Sequence, residues 1–272
     1  MWIKAYAKVN LGLAVTNKRA DGFHDIDTIF ALIDLYDSLR LEPFPSNKIY
    51  LSVGVANLPK DQDNLVYKAA QRYLEAAQEE RGVTIELEKN IPISAGLGGG
   101  SSDAAAVLQA MSEIYPSNVD LYKIALELGS DVPFFLSGLK AAHGQARGEV
   151  LEGLQLKTQN LLLVNPNIAV SAKDAYQNLA KLDNSLNVNK IIKELNTGKK
   201  PRYFNSLQAG VLRLEPKLAE VLAVLDKYLD GVLMSGSGST CFGLGSVVDI
   251  ELARAEINRT FPEYWTKVVK TL

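Results

Sequence analysis

Cysteine and an excess of either charge are scarce in this sequence, and each scarcity excludes a class of protein. Cys241 is the one cysteine among 272 residues, so the chain alone forms no intramolecular disulfide and no thiolate metal cage. The 29 lysine and arginine residues nearly balance 31 aspartate and glutamate residues, and the net charge of −2 favours neither nucleic acid nor an anionic membrane. No run approaches the ~18 apolar residues of a membrane span, and Lys4 and Lys8 interrupt the apolar stretch that a signal peptide needs. We therefore expect a soluble, cytoplasmic protein.

The composition is that of an ordinary globular protein. Apolar residues make up 47% of the chain and charged residues 22%, which is enough apolar surface to bury a sizeable core. At roughly 150 residues per domain, the length predicts two domains, which we set at residues 1–155 and 156–272.

Hydrophobic periodicity predicts strands and helices in both halves, and hence an α+β fold class. Alternation of apolar and polar residues predicts strands at 9–15, after 26 and at 83–87. Helical spacing predicts helices at 64–77, 104–114 and 121–128. In the second half we expect strands at 161–164, 232–234, 241–244 and 267–269, and helices at 172–182, 188–195, 206–229 (broken at Pro216) and 250–259.

Residues 92–103 place a glycine-rich segment between a predicted strand and a predicted helix. Glycine lacks a Cβ, so backbone N–H groups here can approach an anion closely, and the following helix adds about half a positive charge at its N-terminus. The segment favours phosphate binding, although it matches neither the Walker A pattern nor Gly-x-Gly-x-x-Gly. The alternative is a flexible turn. The candidate phosphate-binding residues are Pro92, Ala95, Gly96, Leu97, Gly98, Gly99, Gly100, Ser101 and Ser102.

Three polar residues outside this segment are further candidates. Asp131 stands immediately before an apolar run and is either a site carboxylate or a turn aspartate. Lys8 and Asn10 share one face of the first predicted strand because side chains alternate with a period of two. That face is either turned toward a ligand or solvated.

The histidine and aromatic candidates also have plainer alternatives. His24 has no metal-ligand spacing to the other histidine or to the cysteine, so a surface or buried imidazole is the ordinary interpretation. Phe23 and Tyr176 are either stacking residues or part of the core. A second glycine-rich stretch, residues 235–240, either closes over the same ligand or forms a hairpin turn.

Five segments, taken together, carry a resemblance to a known family. They read Ala-Lys-Val-Asn-Leu-Gly-Leu at 7–13, Lys-Arg-Ala-Asp-Gly-Phe-His at 18–24, Pro-Ile-Ser-Ala-Gly-Leu-Gly-Gly-Gly-Ser-Ser-Asp at 92–103, Gly-Ser-Asp-Val-Pro-Phe at 129–134 and Ser-Gly-Ser-Gly-Ser at 235–239. In this order they resemble the 4-diphosphocytidyl-2-C-methyl-D-erythritol kinase family of the galactokinase, homoserine kinase, mevalonate kinase and phosphomevalonate kinase (GHMP kinase) superfamily.

The resemblance implies ATP-dependent phosphorylation, with Mg²⁺, of the 2-hydroxyl of a cytidine diphosphate conjugate of methylerythritol, in the non-mevalonate route to isoprenoid precursors. It implies a two-domain GHMP kinase fold with mostly antiparallel sheets, an N-terminal ATP-binding domain and an active site in the cleft between the domains. Asp131 is implied as the base and Lys8 as the cation that keeps it ionised. Residues 92–102 would hold the ATP phosphates. The protein ligands of Mg²⁺ and the oligomeric state stay open.

For the acceptor, the resemblance implies that Asn10 and His24 hold the substrate, with His24 at the cytosine edge and Phe23 and Tyr176 on the faces of the base. Two positions depart from the family, because Phe23 replaces a common tyrosine and Ala172 a common threonine. Both departures weaken the expectation about substrate affinity and leave the expectation about ATP unchanged.

Two other functions are compatible with these motifs. One is a GHMP kinase with another acceptor, such as homoserine, mevalonate or a sugar. The other is a non-catalytic nucleotide-binding sensor, which the retained Lys8 and Asp131 argue against, since a binding-only protein needs no base.

Overall fold

Strands and helices are mixed along the whole chain in the computed structural model, which describes residues 1–55, 58–199 and 203–272. The strands are β1 (Trp2–Lys18), β2 (His24–Phe44), β3 (Ile49–Val53), β4 (Gly82–Glu88), β5 (Ala141–Gln145), β6 (Val150–Gly153), β7 (Asn160–Asn165), β8 (Asp230–Met234), β9 (Cys241–Leu244) and β10 (Trp265–Lys270). The helices are α1 (Leu65–Ala77), α2 (Gly99–Ile114), α3 (Leu121–Leu128), α4 (Val132–Leu136), α5 (Ala172–Gln177), α6 (Val188–Asn196), α7 (Gln208–Leu214), α8 (Lys217–Leu225) and α9 (Val247–Thr260). The predicted α+β class is confirmed.

The chain forms two compact units that interleave along the sequence. Unit 1 consists of Met1–Ala7, Leu35–Ile91 and Gly98–Leu139. Unit 2 consists of Lys8–Asp34, Pro92–Leu97 and Lys140–Leu272. Strands β1 and β2 therefore each supply residues to both units. The predicted domain boundary at residue 155 does not separate these units and stays a prediction.

In unit 1, helices and strands share one apolar core. Strand β4 pairs in parallel with β3 and antiparallel with the second half of β2. Alternate residues of these strands, such as Leu39, Leu41 and Ile85, are buried together with Tyr73 of α1 and Val107 of α2. This alternation is what a half-buried strand requires.

In unit 2, two sets of antiparallel strands are present. The first half of β2 pairs with β5, and β5 pairs with β6. A second sheet has the order β10-β7-β9-β8, with every pair antiparallel. Its core residues Leu162 and Val164 pack with Val221 of α8 and Ile250 of α9. The predicted predominance of antiparallel sheet is confirmed for the described strands.

The structure differs from the predicted elements mainly at short or glycine-rich stretches. Helix α2 begins at Gly99, five residues before the predicted start at 104, because glycine's low helix propensity conceals a turn that tertiary contacts hold. The helix predicted at 172–182 ends at Gln177. Strands β3, β5 and β6 and helix α4 were not predicted, since four or five residues give too short a periodic signal.

Among the described residues, no helix has both the length and the apolar character required to cross a bilayer. The cytoplasmic location expected from the sequence stays a prediction.

Helix α1 offers a test of the local sequence signal that begins it. The Asn64 side chain accepts a hydrogen bond from the N–H of Val66 and so caps the helix. We expect Asn64→Ala to lower the free energy of unfolding by about 1 kcal/mol, measured by urea denaturation. Lys68→Ala, an exposed change within the same helix, should stay within about 0.5 kcal/mol of the parent protein. Equal effects of the two changes would contradict the capping role.

Candidate active site

The chain between β4 and α2 alternates buried side chains with half-buried glycines. Ala95 and Leu97 are buried, while Gly96 and Gly98 have φ angles of 73° and 72°. That left-handed conformation is strained for a residue with a Cβ. At Gly96, a Cβ would also lie 2.1 Å from the carbonyl oxygen of Ser235. Glycine is therefore required at position 96 by both conformation and space.

The first turn of α2 contains Gly99, Gly100, Ser101 and Ser102. The prediction that these four residues belong to a loop is wrong, since the loop ends at Gly98. A position in the first helical turn favours anion binding more than a loop does, because the first N–H groups of a helix have no intrahelical acceptor and lie at the positive end of the helix dipole. The Ser102 hydroxyl is buried and donates to the carbonyl of Tyr6 at 2.7 Å, which fixes the turn to β1.

A buried lysine holds the other part of the glycine-rich segment. Lys8 Nζ donates to Asn10 Oδ1 at 2.6 Å and to the carbonyl oxygen of Gly96 at 2.9 Å. Lys8 is only 3% exposed and Asn10 only 2%. The shared strand face is confirmed, and the alternative of a solvated face is wrong.

Asn10 is in turn fixed by its neighbours. Its Nδ2 donates to the hydroxyl of Thr28 at 2.8 Å, and that hydroxyl donates to the carbonyl of Gly12 at 2.7 Å. Its backbone N–H donates to Ser235 Oγ at 3.2 Å. These bonds determine which end of the amide faces Lys8, so the Asn10 oxygen is the end that accepts from the ammonium.

The second glycine-rich stretch is both a hairpin turn and part of this cluster. Ser235 and Thr240 close the turn between β8 and β9 through an N–H to carbonyl bond of 2.9 Å. The Ser235 hydroxyl donates to the Gly96 carbonyl at 3.0 Å, and the N–H of Thr240 donates to the carbonyl of Ala95 at 3.2 Å. A Cβ on Gly236 would stand 3.1 Å from Lys8 Nζ. The turn therefore packs directly against the glycine-rich segment and the lysine.

Within unit 1, the first turn of α2 lies beside the segment that carries Asp131. A Cβ on Gly129 would be 4.0 Å from Ser101 Oγ and 3.6 Å from Val132 Cγ2. Asp131 is half-buried and immediately precedes α4. Asp131 is therefore two positions along the chain from a glycine whose backbone lies close to Ser101.

His24 and Tyr176 form a stacked pair in unit 2. Their ring centroids lie 5.0 Å apart with an interplanar angle of 20°. Burial, and to a lesser extent the charge of Lys18, lowers the pKa of His24 below its ordinary value. The imidazole is therefore neutral at neutral pH and offers one donor and one acceptor nitrogen.

Phe23, the neighbour of His24 in sequence, contacts Arg147 and Asp21. Phe23 is 51% exposed, and the guanidinium of Arg147 lies 5.2 Å from the centre of its ring. The Phe23 N–H donates to Asp21 Oδ1 at 3.1 Å, and Arg19 pairs with both Asp21 and Asp25. These contacts order the turn that presents Phe23 and His24.

One buried ionic cluster escaped the sequence analysis. Lys89 Nζ bonds to Asp37 Oδ2, and to Asp103 Oδ2 at 2.7 Å. Burial lowers the pKa of Lys89, but the two carboxylates outweigh it and the pKa is raised overall. Burial and the Asp37 charge raise the pKa of Asp103 to about 7 against the opposing charge of Lys89. The sequence did not predict that Asp37 is buried, since a polar residue in a strand ordinarily faces solvent.

The described contacts thus join the predicted residues into separate groups. Lys8, Asn10 and Gly96 meet in unit 2, His24 meets Tyr176 in unit 2, and Ser101 approaches the Asp131 segment in unit 1. The pairing of Lys8 with Asp131 stays a prediction, as does the location of the site in a cleft.

Comparison with known proteins gives the family. The chain matches the GHMP kinases N terminal domain over residues 64–139 and the GHMP kinases C terminal model over residues 177–263. It is 43% identical over 264 residues to the 4-diphosphocytidyl-2-C-methyl-D-erythritol kinase of Thermus thermophilus, which covers 96% of this chain and 94% of the relative. The chain belongs to the 4-diphosphocytidyl-2-C-methyl-D-erythritol kinase family of GHMP kinases.

Two further members of this kinase family agree. The kinase of that name from Deinococcus radiodurans is 42% identical over 271 residues, covering 96% of this chain and 90% of the relative. A crystal structure of 4-(cytidine 5'-diphospho)-2C-methyl-D-erythritol kinase is 42% identical, covers 99% of both chains and superposes with a TM-score of 0.86. The predicted GHMP kinase fold is confirmed, and as a kinase of this family the enzyme uses ATP as its phosphoryl donor.

The close approach at Gly96 gives a stability prediction for this kinase. Gly96→Ala places a methyl group against the Ser235 carbonyl, and we expect the free energy of unfolding to fall by at least about 2 kcal/mol. Gly100→Ala is the matched control, since its Cβ would meet nothing nearer than Leu65 Cδ1 at 3.7 Å and alanine favours a helix. Urea denaturation measures both. A Gly96→Ala variant as stable as Gly100→Ala would show that the segments separate easily.

Proposed function

We propose that this kinase transfers the γ-phosphoryl group of ATP to the 2-hydroxyl of 4-diphosphocytidyl-2-C-methyl-D-erythritol. The observation that carries the proposal is the first turn of α2, whose Ser101 side chain lies beside the segment that carries Asp131. The family to which the chain belongs supports the choice of acceptor. Phosphoryl transfer depends mainly on positioning and charge stabilisation, and this arrangement supplies donors for the phosphates and a carboxylate for the hydroxyl.

The phosphates of ATP would bind at the start of α2. The amides of Gly99, Gly100 and Ser101 point along the helix axis, and the two glycines have no side chain of their own to block the approach of a phosphate. The helix dipole adds positive potential where negative charge accumulates on the β- and γ-phosphates. This replaces the lysine of a Walker A loop.

Asp131 would orient the acceptor hydroxyl and accept its proton as the oxygen attacks the γ-phosphorus. A carboxylate does this only in its ionised form, and we assign Lys8 as the cation that favours this form. The 2.9 Å bond from Lys8 to the Gly96 carbonyl supports such a role, since it fixes the ammonium beside the glycine-rich segment.

His24 and Tyr176 would bind the cytosine. A base that forms edge-to-edge hydrogen bonds with the His24 imidazole lies in the plane of that ring. Because the imidazole is within 20° of parallel to Tyr176, such a base lies nearly parallel to the tyrosine ring as well. Phe23, held by Arg147, would cover the base from another side.

Mg²⁺ is also part of the proposal. Within the described residues, no group of three or more histidine, cysteine, aspartate or glutamate side chains could hold a metal. In kinases, Mg²⁺ is usually bound by nucleotide phosphates and water together with one or two protein oxygens. The Ser101 hydroxyl would supply a protein oxygen. The ion, when bound, neutralises phosphate charge.

Loss of the proposed base gives the direct test. We expect Asp131→Asn to lower kcat at least about a hundredfold, because the amide cannot accept the proton, while the KM for ATP changes little. ADP release coupled to a reporter reaction measures this with the cytidine diphosphate acceptor. Glu127→Gln, an exposed change on α3 with the same loss of charge, is the matched control and should retain full turnover.

Near-normal turnover of Asp131→Asn would remove this residue from the chemistry. The same assay, run with homoserine, mevalonate and sugars, tests the acceptor. Turnover that does not depend on the cytidine moiety would contradict the proposed substrate.

The stacking role of Tyr176 is tested by a pair of variants. Tyr176→Ala removes the ring, and we expect the acceptor KM to rise about tenfold, since stacking on one aromatic ring contributes ~1–3 kcal/mol. Tyr176→Phe retains the ring and should keep the acceptor KM within about threefold. The KM for ATP should stay constant in both. Equal acceptor KM values for the alanine and phenylalanine variants would exclude stacking.

A further inference from the structure

The buried ionic cluster of Lys89, Asp37 and Asp103, here called the β4–α2 tether, has no place in the chemistry proposed above. The Lys89 side chain is 7% exposed, and the Asp37 and Asp103 side chains are 0% and 2% exposed. All three residues belong to unit 1. One ammonium faces two carboxylates, so the cluster carries a net negative charge when every group is ionised.

Burying such a cluster is an expensive way to stabilise a fold. Removing charges from water costs several kcal/mol for each ion, and apolar replacements are often as stable or more so. Asp103 Oδ1 is buried and has no hydrogen-bond partner in the structure. A contribution to stability alone therefore explains the cluster poorly. We look instead to the backbone positions that it fixes.

The Asp37 end holds the chain where it leaves β4. Asp37 Oδ1 accepts hydrogen bonds from the backbone N–H groups of Asn90 at 2.5 Å and Ile91 at 2.8 Å. These are the last two residues before the glycine-rich segment. Their backbone position is thus tied to a side chain of β2.

The Asp103 end holds the start of α2. Asp103 is four residues after Gly99, which places it one helical turn further along. A Cβ on Gly99 would be 3.2 Å from Lys89 Nζ, so the first residue of the helix rests on the ammonium. Lys89 therefore joins the residues that enter the glycine-rich segment to the helix that leaves it.

We propose that Lys89, Asp37 and Asp103 are positioning residues that hold both ends of the glycine-rich segment, so that the first-turn amides of α2 are preorganised for the phosphates of ATP. The tether itself need not touch the nucleotide. The inference rests on the proposed function for its ligand, and preorganised donors are where a small displacement has a large effect on phosphoryl transfer.

The double variant Lys89→Met/Asp103→Asn cuts the tether. It leaves Asp37 bonded to its two amides and leaves no cation buried without a partner. The matched control is Asp103→Asn alone, in which the amide oxygen can still accept from Lys89. We expect the double variant to raise the dissociation constant for ATP about tenfold and the control to stay within about threefold, measured by calorimetry without acceptor.

Two further measurements separate positioning from a general loss of structure. In steady state, the KM for ATP should rise in the double variant while the acceptor KM stays within about twofold. In the ligand-free protein, exchange should become faster in the double variant and not in the control at two places. One is the Ser102 amide, which bonds to the Gly98 carbonyl, and the other is the pair of amides at 90–91, because Asp37, which accepts from them, loses its bond to Lys89. A merely structural role would reduce the active fraction of enzyme and leave both KM values unchanged.

Wild-type ATP affinity in the folded double variant would overturn the proposal, and so would unchanged amide exchange. Should the double variant not fold, Asp103→Ala cuts the helix end alone while Lys89 keeps Asp37, and the same rise in the ATP dissociation constant is required of it. If the wild-type protein itself bound no ATP, the proposed function would fail, whereas the exchange experiment would still decide whether the tether orders the two segments.

Discussion

The carbonyl oxygen of Gly96 accepts two hydrogen bonds, from Lys8 Nζ and from Ser235 Oγ, and the geometry of unit 2 around the site depends on this shared acceptor. Both donors come from elements distant in sequence, namely β1 and the turn after β8. They reach one atom only because Gly96 has no side chain and takes a left-handed conformation. A bulkier residue at position 96 would displace the turn after β8, and with it the Ser235 hydroxyl that helps to fix the carbonyl to which Lys8 binds. Conformational freedom at one glycine thus determines where a buried cation is held.

Strand β1 serves both parts of the glycine-rich stretch through neighbouring residues. The Tyr6 carbonyl accepts from Ser102 of α2 within unit 1, and Lys8, two residues later, binds Gly96 within unit 2. Together with the β4–α2 tether, this gives the first turn of α2 two attachments that do not rely on its own sequence. A glycine-rich helix start, which is intrinsically weak, can therefore remain ordered.

The chemistry of the site was more predictable from the sequence than its supports. A period of two correctly placed Lys8 and Asn10 on one face, whereas anion binding by the glycine-rich segment stays a prediction. The start of α2 was misplaced because glycine hides helical character that tertiary contacts impose. The bond between Lys89 and Asp37 joins residues 52 positions apart, and no local pattern reports such a contact. The family resemblance named His24 and Tyr176 as cytosine contacts, but it did not predict that the two rings stack on each other.

The two departures from the family affect hydrogen bonding to the acceptor more than stacking. Ala172 is the first residue of α5 and lies four positions before Tyr176, so both residues occupy the same side of that helix. Loss of a hydroxyl at 172 removes a polar contact there but leaves the tyrosine ring in place against His24. At Phe23 the missing hydroxyl leaves the ring face beside Arg147 intact, and a guanidinium over an aromatic ring is itself attractive. If the base binds as proposed, its selection would rely on ring faces and on the neutral His24 edge rather than on hydroxyl groups.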